Sequence, residues 1–136
     1  MSNKFNDSIK SIRFGNTINE IVANSYSECA NLESVDMTDS VVSIETSAFS
    51  GCSSLKSINL SKNVKTLAEY SFEQCAFESI NIPDGVENIN KYAFTDCTSL
   101  QTINIGKDVK SIDKFAFNEC KTLATIKVAD DNPYYD

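Results

Sequence analysis

Five cysteines, Cys29, Cys52, Cys75, Cys97 and Cys120, carry the most versatile chemistry in this sequence. A thiolate attacks electrophiles, binds soft metals or closes a disulfide. Each role needs company. A cysteine nucleophile is normally activated by a neighbouring base, most often histidine, and the sequence has no histidine. Zinc sites use CxxC and histidine pairs at short spacing, and neither occurs. The spacings present are 23, 23, 22 and 23 residues, a structural period rather than a reactive cluster.

Sliding the sequence by that period aligns further columns. An aromatic stands three residues before each cysteine: Tyr26, Phe49, Phe72, Phe94 and Phe117. A small residue precedes it: Ser25, Ala48, Ser71, Ala93 and Ala116. After the cysteine come Leu32, Leu55, Phe77, Leu100 and Leu123, then two more apolar columns. The first of these is Val35, Ile58, Ile80, Ile103 and Ile126; the second is Met37, Leu60, Ile82, Ile105 and Val128. One period backwards lie Ile9, Ile12 and Phe14, a first repeat without a cysteine. A second apolar pair, such as Val41 with Ile44 or Val109 with Ile112, completes the unit.

These columns dictate the elements. In LxxIxI the last two apolar positions are two apart, the period of a strand that buries one face. GNT, TDS, SKN, PDG and GKD follow the strand and mark a sharp turn. The xxxAFxxC stretch is too short for a free helix, and its apolar spacing predicts a single helical or 3₁₀ turn. About 23 residues cannot enclose a core, so the units must stack. Stacking predicts one parallel sheet of about six strands, with the aromatic and cysteine columns on the opposite wall. Cysteines in one column project in parallel, so their Cβ atoms stay farther apart than the ~3.8 Å a disulfide needs. The prediction is buried, reduced cysteines that fill space between turns.

The segment LKSINLSKN, residues 55–63, matches the leucine-rich-repeat form LxxLxLxxN at every position. The longer unit INIPDGVENINKYAFTDCTSL, residues 80–100, resembles the BspA-like class of leucine-rich repeats found in bacterial and protist surface proteins. The resemblance runs over about residues 9–129. It implies an α/β repeat: a right-handed leucine-rich-repeat solenoid with a concave parallel sheet, and with short helical or 3₁₀ turns and short extended segments opposite. It further implies protein or matrix binding, often at a cell surface, and no catalysis. A single domain spans 1–136, with repeats at about 9–31, 32–54, 55–76, 77–99 and 100–122 and a terminal partial repeat at 123–136. One repeat departs from the pattern: Cys75, Ala76, Phe77 is a residue short, so its turn should be tighter, with Phe77 in a leucine site.

Composition narrows the partners. Twelve basic against nineteen acidic residues give a net charge of −7, which repels nucleic acid and anionic membranes alike. No apolar run is long enough to span a bilayer, and the first residues lack the apolar stretch of a signal peptide. On residues alone the chain reads as cytoplasmic; the family resemblance implies a surface or secreted setting. Asp130 and Asp131 lack the ligand spacing of a calcium loop and read as a solvated tail. Asn6-Asp7-Ser8 is a glycosylation sequon in a eukaryotic secretory setting only. No cofactor, metal or catalytic residue is expected.

Binding residues are sought where the strands face outward. Flanking each middle apolar position are a hydroxyl row, Ser11, Ser34, Ser57, Ser79, Thr102 and Thr125, and a polar row, Arg13, Asp36, Asn59, Asn81, Asn104 and Lys127. The asparagines are expected to hydrogen-bond along the stack. Both rows serve equally to stabilise the sheet, and they lack the Trp and Tyr of strong hot spots. Tyr70, Tyr92 and Phe115 form an aromatic column on a flank, expected to pack over neighbouring turns, while Tyr134 and Tyr135 are expected to cover the last repeat. The expected function is a non-catalytic protein-interaction or adhesion module, a monomer or weak homodimer whose protein partner the sequence does not identify. The alternative is a structural spacer or self-associating segment of a larger surface protein.

Overall fold

The computed structural model describes residues 8–135, so Asn6 and Asp7 of the sequon lie outside the described residues. Eleven short strands follow one another in chain order: β1 (Ser11–Arg13), β2 (Glu20–Ile21), β3 (Ser34–Asp36), β4 (Ser43–Ile44), β5 (Ser57–Asn59), β6 (Thr66–Leu67), β7 (Ser79–Ile82), β8 (Asn88–Ile89), β9 (Thr102–Ile105), β10 (Ser111–Ile112) and β11 (Thr125–Val128). Odd-numbered strands come from LxxIxI and even-numbered ones from VxxI. All pairings are parallel and displaced by one repeat, for example Ile12 on Val35, Ile44 on Leu67 and Ile103 on Ile126. The chain is therefore a parallel-strand solenoid.

The six LxxIxI strands do not make the single sheet that the sequence predicts. They form two three-stranded sheets, β1-β3-β5 and β7-β9-β11, while the two-residue strands form an unbroken five-stranded sheet from β2 to β10. The seam falls at the short repeat. In full-length repeats the amide four residues after the cysteine reaches back one coil, as from Lys56 to the Glu33 carbonyl at 3.0 Å and from Gln101 to that of Glu78 at 2.8 Å. With one residue missing, the amide of Ala76 bonds the Leu55 carbonyl instead, at 2.8 Å, and β7 arrives out of step with β5. Ile58 is left half-buried beside the seam, whereas Val35, Ile80 and Ile103 are buried.

The expected helical turns are absent: among the described residues there is no helix. The reason lies in the amides of the xxxAFxxC stretch. Those of Ser25, Ser27 and Cys29 bond three residues back, as in a tight turn, but those of Asn24, Tyr26 and Glu28 bond Thr46, Ala48 and Ser50 on the next coil at 2.7–3.1 Å. Alternate amides thus leave the local ladder that a helix needs. Left-handed residues four apart enforce the alternation: Asn24 and Glu28, Ser47 and Gly51, Tyr70 and Gln74, Tyr92 and Asp96 all have positive φ. Asparagine and glycine adopt this at little cost; the tyrosines are held there by their neighbours. These turns are why the α/β description gives way to a solenoid of strands and turns.

Between the two kinds of sheet runs one apolar core. Phe49, Phe72 and Phe94 are fully buried, and their rings stack along the axis with Tyr26 and Phe117 at centroid spacings of 5.4–5.6 Å. Fully burying each such ring contributes roughly 1.5–3 kcal/mol, and stacking adds up to about 1.5 kcal/mol. Phe77 lies edge-on to Phe72 at 6.0 Å and occupies the leucine site of the short repeat.

Candidate functional site

No cysteine is in a disulfide, and Cys29, Cys52, Cys75 and Cys97 are buried. They do more than fill space. The thiols of Cys52, Cys75, Cys97 and Cys120 donate to the carbonyls of Tyr26, Phe49, Phe72 and Phe94, each on the preceding coil, at 3.1–3.4 Å. Burial raises the pKa of Cys52 to about 12 and that of Cys75 above the ordinary thiol range. The neighbouring Cys120 thiol, together with burial, pushes Cys97 up as well. At Cys52, Cys75 and Cys97 the protonated thiol is a poor nucleophile and a poor ligand, so these three cysteines are structural. Among the described residues no three acidic or cysteine side chains converge as a metal site would require.

The strand face is where polar side chains converge. Along it Ser11 aligns with Ser34 and Ser57, and Ser79 with Thr102 and Thr125. All six are exposed or half-exposed, and no hydroxyl–hydroxyl bond joins them. The second row is bonded within each sheet. Asp36 accepts from Arg13 Nε at 3.1 Å and from Asn59 Nδ2 at 2.9 Å. The Asn59 amide first, and then the Arg13 guanidinium, hold the Asp36 carboxyl below the usual carboxylate range. In the other sheet Asn104 Nδ2 donates to Asn81 Oδ1 at 2.6 Å, and Lys127 is in register with Asn104. The expected three-asparagine ladder is cut by the seam: Asn59 and Asn81 do not bond each other, because β5 and β7 are not paired. At the C-terminal end of β9 and β11 a depression of about 300 Å³ opens between Asp84, Asn104, Gly106 and Lys127.

The aromatic column stacks as expected. Tyr70, Tyr92 and Phe115 lie 5.2 and 5.8 Å apart, half-buried at the tyrosines and exposed at Phe115. The sequence reading missed its cations: Lys91 Nζ sits 4.9 Å from the Tyr92 ring centre, and Lys114 Nζ 5.0 Å from that of Phe115. The signal was there in KYAF and KFAF, 23 residues apart. At the C-terminal end, Tyr135 accepts a hydrogen bond from the Ile112 amide at 3.1 Å, but Tyr134 is 57% exposed and covers little. The unanticipated cap is Asn132, which donates to the Gly106 and Val109 carbonyls at 2.9 and 3.0 Å. Asp130 and Asp131 are exposed.

Comparison with known proteins agrees with this architecture. Residues 19–134 match the model of the BspA type leucine rich repeat region in six copies. A leucine rich cell surface protein from Faecalibacterium prausnitzii is 37% identical with a TM-score of 0.85, over 88% of this chain and 32% of that one. The Treponema pallidum leucine rich repeat protein is 26% identical with a TM-score of 0.83, over 87% of this chain and 58% of that one. A leucine-rich repeat protein from Eubacterium ventriosum is 26% identical with a TM-score of 0.85, over 91% of this chain and 33% of that one. The chain thus spans about a third to three-fifths of the solved structures it resembles. No curated protein matches it. Columns, coils and family model coincide, and the chain belongs to the BspA type leucine rich repeat family.

Proposed function

We propose that this chain is a non-catalytic protein-interaction or adhesion module that holds its partner on the outward face of the LxxIxI strands. One observation carries the reading: twelve outward positions on those strands are exposed or half-exposed, all polar, and in register within each sheet. Repeat proteins use such an extended, rigid surface to bind other proteins. A face fixed by its own hydrogen bonds loses little side-chain entropy when a partner docks. Arg13, Asp36, Asn59, Asn81, Asn104 and Lys127, with Ser34, Ser57, Ser79 and Thr102, are the contact residues of this proposal.

The seam adds a recognition feature. Asn59 spends its amide on Asp36, and Asn81 spends its carbonyl on Asn104. An amide donor of Asn81 and the carbonyl of Asn59 therefore remain for a ligand, the complement of a peptide group. A cell-surface setting is supported by the Faecalibacterium neighbour, which is described as a cell surface protein. The experiment is capture of partners from host and source lysates by the wild-type chain and by a variant with Asn59, Asn81 and Asn104 changed to lysine. Loss of the captured protein with retained circular dichroism supports the reading; unchanged capture contradicts it.

A further inference from the structure

The outer face of the five-stranded sheet carries a depression of about 490 Å³ that the strand-face reading does not use. It lies over β4 and β6, and each of these has a paired strand on both sides, so the depression belongs to the flank of the stack and not to an end. The repeat explains how it arises. The residues that follow the buried Ile44, Leu67 and Ile89 are Glu45, Ala68 and Asn90, and the short side chain of Ala68 leaves a hollow between two longer ones. On the rim Val42 is 53% exposed, an apolar shelf in a column where the next coils carry Lys65 and Glu87. Glu45 and Glu69 line the hollow, and neither has an ion pair among the described residues. The lysines of the neighbouring columns are engaged elsewhere. Lys91, one coil along from Glu69, places its Nζ 4.9 Å from the Tyr92 ring centre and 5.7 Å from that of Phe115. Lys65 acts on Glu87, whose carboxyl is held below the usual carboxylate range by the Lys110 ammonium first and by Lys65 after it.

We propose that this depression binds an arginine side chain of a protein partner, with its aliphatic stem on Val42 and Ala68 and its guanidinium between the carboxylates of Glu45 and Glu69. Long cationic side chains lay their methylenes on apolar surface while the charged head reaches polar groups. Glu45 and Glu69 rise from successive coils, roughly 4.8 Å apart along the axis, a spacing that one guanidinium bridges. Arginine fits better than lysine, because its planar fork presents several donors in fixed directions whereas an ammonium is a point charge. The side-chain carbonyl of Asn90, at the far end of the hollow, supplies a further acceptor. The net charge of −7 favours the approach of a basic partner. A neutral partner seated here would cover two carboxylates without satisfying their charge. The contact lies on the sheet across the core from the polar strand row and stands independently of it.

The test titrates the full nitrogen-labelled chain with the end-blocked peptide GSGRGSG and with the same peptide carrying citrulline, which keeps the stem of arginine and removes its charge. Saturable shifts of the Thr46, Ala68, Glu69 and Asn90 amide signals are expected with the arginine peptide at millimolar concentration, and none with the citrulline peptide. Glu45→Gln and Glu69→Gln should each weaken the arginine peptide about threefold, a change within the range of one exposed ion pair. Ala68→Leu, which fills the hollow at a half-buried position, should abolish binding while the fold persists by circular dichroism. Asn59→Lys, on the other sheet, should leave the affinity unchanged, which separates this site from the strand-face proposal. Absence of saturable shifts, equal affinity for the two peptides, or shifts centred on the acidic turns at Asp84 and Asp108 would each overturn the inference.

Discussion

The Cys97 thiol donates to the Phe72 carbonyl one coil back, at 3.2 Å. Three further cysteines repeat this bond, so the column ties each coil to its neighbour at the buried aromatic. Replacing Cys97 by valine keeps the bulk and removes the donor. The expected cost is about 0.5–1.5 kcal/mol, the net worth of one hydrogen bond. Cys97→Ala should cost more, because it also leaves a void. Urea unfolding of the two variants measures both.

The same column makes stability depend on alkaline pH. An unfolded thiol titrates near about 8.5, whereas folded Cys52 holds its proton to about 12. Below that window both states are protonated and the full stability is present. As pH rises through it, the unfolded chain releases protons that the folded chain retains, and stability falls. The melting temperature should therefore decline between pH 8 and 11, and less steeply in Cys52→Val. Identical slopes would show that the thiols are not responsible.

Ser71 occupies the small-residue column, and its buried hydroxyl has no hydrogen-bond partner. Ala48, Ala93 and Ala116 fill the same column and are buried without difficulty. An unsatisfied buried hydroxyl costs on the order of 1–3 kcal/mol. Ser71→Ala is expected to be neutral or to stabilise by up to about 1 kcal/mol, read as an upward shift in the urea midpoint.

Restoring the missing residue should heal the seam. Inserting serine between Ala76 and Phe77 makes that repeat CxxF, in step with CSSL and CTSL. The expected result is one continuous sheet with Asn81 bonded to Asn59, visible in a crystal structure of the insertion variant. A seam that persists would mean that something other than repeat length separates β5 from β7.

Much of this molecule is legible in its sequence because each repeat reports the same environment. The columns of Phe49, Leu55 and Ile103 located the core, and the parity of Ser57 and Asn59 located the exposed face. What the columns hid is backbone behaviour. Left-handed φ at Tyr70 and Tyr92 is unusual for aromatic residues, so the helix-like spacing of xxxAFxxC concealed a turn whose alternate amides bond the next coil. A one-residue deletion at Ala76 was visible, but its effect on strand pairing depends on how the next coil recovers register. Asn132 was missed because a cap breaks the pattern that reveals the rest.

The account places the partner on the polar strand row, and the side-chain amides of that row report on it individually. Nitrogen- and carbon-edited NMR of the chain titrated with a captured partner should shift the Asn59, Asn81 and Asn104 side-chain amide signals most, with the Tyr70, Tyr92 and Phe115 ring C–H signals nearly unmoved. Ring signals that shift while those three amides stay in place would contradict it.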